Sequence, residues 1–129
     1  MPLLAALICL LAVMSGCGGG DDEKDAEQTV RDFVTAVNKR DADTYCDELI
    51  TEEFREKTTF ATGDEAAESC KRQFKAITGL QIELVRIAGT KVDGDQATVT
   101  AVLRRQGQRM RQVYELAKDG GDWKLSGAR

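Results

Sequence analysis

The spacing of apolar residues changes at Gly79: before it they recur every three or four positions, after it every second one. The first repeat is that of one face of an α-helix, the second that of one face of a β-strand. Ala26, Val30, Phe33, Val34 and Val37 form a helical stripe and predict a helix from about Asp25 to Asn38. The charged break Lys39-Arg40-Asp41 ends it. Asp41 is placed to cap a second helix, whose inner face carries Ala42, Tyr45, Cys46 and Leu49. Thr51 can cap a short third helix around Phe54, and residues 58–63 read as a loop. Asp64 then opens a helix with Ala66, Ala67, Cys70, Phe74 and Ile77 on one side, stopped by Gly79.

From Leu80 the alternation predicts a strand to about Lys91. Asp93-Gly94 turns it into a second strand carrying Ala97, Val99, Ala101 and Leu103. Gln106-Gly107-Gln108 leads into a third, Met110 to Lys118, and Asp119-Gly120-Gly121-Asp122 into a short fourth, Trp123-Lys124-Leu125. Helices followed by hairpin-linked strands give an α+β class, with N-terminal helices packed on an antiparallel sheet.

The first residues follow neither period. Residues 1–16 hold no Asp, Glu, Lys or Arg, and Leu3 to Met14 is apolar throughout. A run of that length falls short of the ~20 residues needed to span a bilayer, but it fits the apolar region of a secretory signal. It ends at Met14-Ser15-Gly16-Cys17, which resembles the lipobox of bacterial lipoproteins. The resemblance implies that residues 1–16 are a signal peptide and that the Cys17 thiol carries diacylglycerol. The protein would then sit on the extracytoplasmic face of the cell membrane. Residues 17–25, "CGGGDDEKD", then read as the lipidated cysteine and a flexible tether, with the folded domain spanning 26–129.

Two further cysteines, Cys46 and Cys70, make an even pair for an exported chain. A disulfide between them would stabilise the fold by roughly 3 kcal/mol. A buried reduced pair and a metal site are the alternatives, and neither a histidine nor a CxxC spacing is present to build the latter. No metal or other cofactor is expected. With 22 acidic against 18 basic residues the chain is net acidic, which argues against nucleic acid as a partner.

The long first helix "VRDFVTAVNKRD", the stretch "FVTAVNKRDADTYCDELI" and the closing "DGGDWKLSG" are similar to the NTF2-like superfamily. The resemblance implies a curved antiparallel sheet wrapped around the helices as a cone with an internal pocket. The cysteine pair is also similar to that of small exported actinobacterial lipoproteins of this fold, where it would bridge the second helix to the last. The superfamily includes isomerases, dehydratases, cyclases, binding proteins and adaptors, so the fold does not select among them. No catalytic residue is carried over from it.

Three clusters remain as candidates. Asp43, Asp47 and Glu48 on the second helix, with Glu83 and Glu115 on strands, could supply a carboxylate base if buried; acidic faces are more often simply solvated. Arg104, Arg105, Arg109 and Arg111 form the one basic cluster, suited to an anionic lipid surface or to keeping a hairpin soluble. Most of the aromatics are expected in the core, with Tyr45, Phe74 and Trp123 as the expected apolar lining of a pocket. The leading expectation is a membrane-anchored domain that binds a small apolar ligand or a protein partner without catalysis. The alternatives are an isomerase- or dehydratase-type enzyme using a carboxylate base, and an adaptor forming a homodimer through the sheet.

Overall fold

The computed structural model describes residues 19–77 and 79–129. The expected signal peptide and Cys17 lie outside the described residues. Helix α1 spans Gly19–Lys39, a short π-helix Thr44–Leu49, α2 Glu52–Thr59 and α3 Gly63–Ala76. Four strands follow: β1 Glu83–Asp93, β2 Gln96–Arg105, β3 Gln108–Asp119 and β4 Asp122–Ala128. They form one antiparallel meander in the order β1-β2-β3-β4.

Helix α1 is already wound at Gly19, six positions before the apolar stripe would start it, so residues 19–25 of the stretch expected as a tether are helical. The cause is electrostatic. Asp21 and Asp22 occupy the first turn, where carboxylates complement the helix dipole. Asp22 also accepts hydrogen bonds from Lys118 Nζ at 3.1 Å and Trp123 Nε1 at 3.3 Å, which dock the first turns onto β3 and β4. Farther along, Ala26, Val30 and Val34 are buried and pack on the sheet.

Asp41 works as expected at the second break: its carboxylate accepts from the Thr44 backbone N–H at 3.1 Å and the Thr44 hydroxyl at 2.7 Å. The segment it opens winds as a π-helix, burying Cys46 and Leu49. Ile50 then bridges to Leu125 of β4. Thr51 caps α2 through Phe54 N–H at 3.1 Å. Thr58 and Thr59 belong to α2, not to a loop, and their hydroxyls bond back to the carbonyls of Phe54 and Arg55 at 2.9 and 2.7 Å. The cap of α3 comes from outside it: Glu56 accepts from Gly63 N–H at 3.0 Å. A disulfide joins Cys46 to Cys70 with their Cα atoms 6.0 Å apart, tying the π-helix to α3.

The first strand starts at Glu83, not Leu80, because Asn38 claims the backbone before it. Its amide donates to Ile82 O at 2.7 Å and accepts from Ile82 N–H at 2.8 Å, in place of a neighbouring strand. Register shifts between Leu84 and Arg86 and between Ile87 and Gly89 bend β1. Leu84, Ile87 and Val92 of the bent strand pack against the core, and the sheet curves around the helices. Ala97, Val99, Ala101 and Leu103 of β2 and Tyr114 and Leu116 of β3 form the buried centre of its inner face.

Candidate functional site

On the helix side the structure leaves an apolar cleft of about 200 Å³. Phe33 and Val37 on α1, Tyr45 on the π-helix, Thr59 at the end of α2 and Phe74 on α3 line it, with Ile77 and Leu80 at its edge. The same periodicity that makes the helices produces the cleft. Phe33 and Val37 sit four apart on α1, and Cys70 and Phe74 four apart on α3, so each pair lies on one face. The disulfide at Cys70 fixes α3 against the π-helix at this wall.

An aromatic series runs from the sheet to the cleft. Tyr114 on β3 meets Phe33 edge-on at 5.4 Å between ring centroids, Phe33 meets Tyr45 at 5.8 Å, and Tyr45 stacks on Phe74 at 4.8 Å. These distances lie in the range where aromatic pairs attract beyond their buried area. Burial pushes the Tyr45 phenol above its ordinary range. It pushes Tyr114 further, to about 12, with the neighbouring Tyr45 adding to the effect. Both phenols are therefore neutral at physiological pH and act only as hydrogen-bonding groups.

A second recess, also of about 200 Å³, continues the cleft around Val37, Phe74, Ile77 and Leu80, and brings in Arg40, Gly79 and Gln81. Arg40 Nη2 donates to the carbonyls of Lys75 and Ile77 at 3.1 and 3.3 Å, spanning the C-terminal end of α3.

Known structures of the same architecture are recognisable by shape where sequence comparison is silent. No protein-family model and no curated protein matches the sequence. An NTF2-like protein of unknown function from Silicibacter pomeroyi superposes with a TM-score of 0.56 at 14% identity, over 86% of this chain and 95% of that one. A second NTF2-like protein of unknown function, from Shewanella baltica, gives 0.54 at 10% identity over 86% and 93%. An uncharacterised protein with a cystatin-like fold from Caulobacter vibrioides gives 0.59 at 16% identity over 83% and 87%. The fold is NTF2-like.

Within this NTF2-like cone the expected site residues separate. Tyr45 and Phe74 are stacked in the cleft wall, whereas Trp123 is not part of it. Trp123 is buried at the other end of α1, with its indole N–H on Asp22 and Lys118 Nζ 5.6 Å from the ring centroid. Its place in β4, paired with Lys118 beside the β3–β4 turn, puts it there. The acids are elsewhere too: Asp43 and Asp47 pair with Lys71 at 3.4 and 2.9 Å, Glu83 with Arg104 at 2.8 Å, and Glu115 with Arg129 at 3.0 Å. Glu48 is exposed and lies outside both recesses. Arg104 stands opposite Arg109 and Val102 opposite Arg111, so the basic cluster does assemble at the β2–β3 hairpin. Phe33, Val37 and Leu80 were legible only as members of core stripes, and Arg40 only as part of a helix break.

Proposed function

We propose that the chain is a lipoprotein held at the extracytoplasmic face of the cell membrane through Cys17, and that its NTF2-like domain binds a small apolar ligand without catalysing a reaction. The observation carrying the binding part is the aromatic-walled cleft, whose wall holds the Tyr45–Phe74 stack and whose lining holds no carboxylate among the described residues. A concave, mostly apolar site with a few polar groups is what ligand binding requires. The Met14-Ser15-Gly16-Cys17 junction supports the anchor, and the Cys46–Cys70 disulfide supports an oxidising compartment. Titration with a neutral, environment-sensitive naphthylamine dye tests the cleft. Saturable fluorescence enhancement is expected, weakened in Phe74→Ala and unchanged in Trp123→Phe. Equal enhancement in Phe74→Ala would place the dye elsewhere. Mass spectrometry of the membrane fraction tests the anchor, and an unmodified Cys17 would remove it.

One observation favours a protein partner as a second reading. Phe60, the residue after the cleft-lining Thr59, is 95% exposed, and Ile77 on the cleft edge is 52% exposed. Large apolar side chains in the open next to a cleft are what a protein contact buries. Phe60→Ser leaving the dye titration intact but abolishing a co-purifying partner would support it.

A further inference from the structure

The cleft is mostly apolar, with Thr58, Thr59 and Gln73 as its neutral polar groups, and cationic at one end. Of the residues lining its two recesses, Arg40 is the one that carries charge among the described residues. Arg40 makes no ion pair among them, and the adjacent Asp41 carboxylate is engaged by Thr44 at 3.1 and 2.7 Å. Its Nη2 is held by the Lys75 and Ile77 carbonyls, which fixes the guanidinium across the end of α3. A guanidinium carries five N–H donors, so those on Nε and Nη1 remain for an anion. The rest of that end offers Gln81 and exposed backbone at Gly79, with no acid to compete.

We infer that the ligand is a single-chain anionic amphiphile, its chain lying along Phe33, Tyr45, Phe74 and Leu80 and its head group on Arg40. The inference rests on the cleft being the binding site. It adds the chemical class of the ligand. The apolar wall fixes the tail, and the lone cation fixes the sign of the head, since a fixed guanidinium forms charge-assisted bonds to carboxylate or phosphate. Size favours a single chain. The two recesses share Val37, Phe74, Ile77 and Leu80 and hold about 200 Å³ each, the small end of the roughly 300 to 1,000 Å³ usual for small-molecule sites.

The test uses the full chain with Cys17→Ser, which keeps acyl groups of its own out of the assay, and isothermal titration with three probes: dodecanoate, dodecanol and dodecyl phosphate. Dodecanoate should bind roughly tenfold more tightly than dodecanol, the scale of one charge-assisted hydrogen bond in a half-open site. Shortening the chain should weaken binding by about fourfold per methylene removed. Arg40→Gln should erase the preference for the acid while leaving the alcohol's affinity, and Arg40→Lys should restore part of it. Dodecyl phosphate matching or exceeding dodecanoate keeps the anionic class and assigns the natural head group to a phosphate; a large deficit assigns it to a carboxylate.

Equal binding of acid and alcohol would overturn the head-group assignment while leaving the apolar cleft in place. Binding of none of the three would overturn the cleft itself. The paired variant Arg109→Gln/Arg111→Gln guards against the other basic site. If the preference disappears there instead, the anion sits on the hairpin and the inference fails. Arg40 also braces α3, so the thermal midpoint of each variant is measured alongside. If Arg40→Gln unfolds, the salt dependence of the acid-to-alcohol ratio in the parent chain decides: a ratio insensitive to salt overturns the assignment.

Discussion

Tyr114 holds its proton to about pH 12, and Tyr45 is shifted in the same direction, because burial disfavours both phenolates. An unfolded tyrosine releases its proton near pH 10. Between those values the folded state binds more protons than the unfolded one, so stability must fall as pH rises. The stabilising contribution is intact below about pH 10 and is lost as pH climbs through the folded value. Urea midpoints measured across this alkaline range should therefore decline, and phenolate absorbance should appear together with unfolding. Tyr114→Phe should flatten the decline; an unchanged slope would contradict the burial argument.

Phe60 makes a different point at the same scale. It sits in the left-handed region at φ 58° with its ring 95% exposed, so it carries the steric cost of that conformation without packing in return. Phe60→Gly should stabilise the chain by about 1 kcal/mol, measured by chemical denaturation. A loss of stability would mean that the ring has contacts in the folded state. Nothing in the sequence signals this exposure, since aromatic residues are usually core and φ is not written in composition.

At the level of elements, the stripes on α1 and α3 and the alternation on β2 were legible because hydrophobic burial dictates period. Ala26, Val30 and Val34 face the sheet as their spacing requires, and Ala97, Val99, Ala101 and Leu103 do likewise. What period does not encode is capture by a distant polar group. Asn38 holds Ile82 and delays β1, Asp22 is held by Trp123 and Lys118 and extends α1, and Glu56 rather than Asp64 caps α3. Part of the candidate site was legible for the same reason. Tyr45 and Phe74 were visible as aromatics on facing helices, whereas Trp123 was misplaced because a strand's alternation tells which face it uses and not which end of a helix lies above it. The disulfide joins two of these elements across 24 positions. Cys46→Ala/Cys70→Ala, or reduction, should cost roughly 3 kcal/mol by the chain-entropy argument. Because Cys70 also lines the cleft, dye affinity should drop in the reduced chain under conditions where it is still folded. Stability that is indifferent to reductant would show that the bond is not formed in solution.

Across the whole molecule, charge is sorted along the α1 axis. Asp22 and Asp25 at its start lie by the two acidic turns, since Lys118 feels Asp22, Asp95 and Asp25 together and the β3–β4 turn carries Asp119 and Asp122. The far end holds Arg40 and, through the Asn38–Ile82 bonds and the pairing of Glu83 with Arg104, the arginine hairpin. A helix of 21 residues separates these poles by about 30 Å. Cys17 precedes Gly19 by two residues, so a lipid there would attach within about 7 Å of the first residue of α1, at the acidic end of the helix. If the domain stands upright on such an anchor, the hairpin would lie several Debye lengths from the bilayer, beyond the ~10 Å over which ~1 kcal/mol per arginine could be gained. On zwitterionic vesicles the acylated chain should place its acidic pole at the surface and present the cleft mouth near Arg40 to the far side. Thiol-reactive fluorophores on Asp95→Cys and Gln108→Cys, read against nitroxide-headgroup lipids, measure this directly. The Asp95 probe should be quenched and the Gln108 probe spared. Quenching at Gln108 that appears only with anionic lipid and disappears with added salt is the signature of the arginines reaching the membrane by tipping the domain over. Quenching there on zwitterionic vesicles would overturn the upright arrangement, and with it the proposal that the cleft of a lipid-anchored chain opens away from the bilayer.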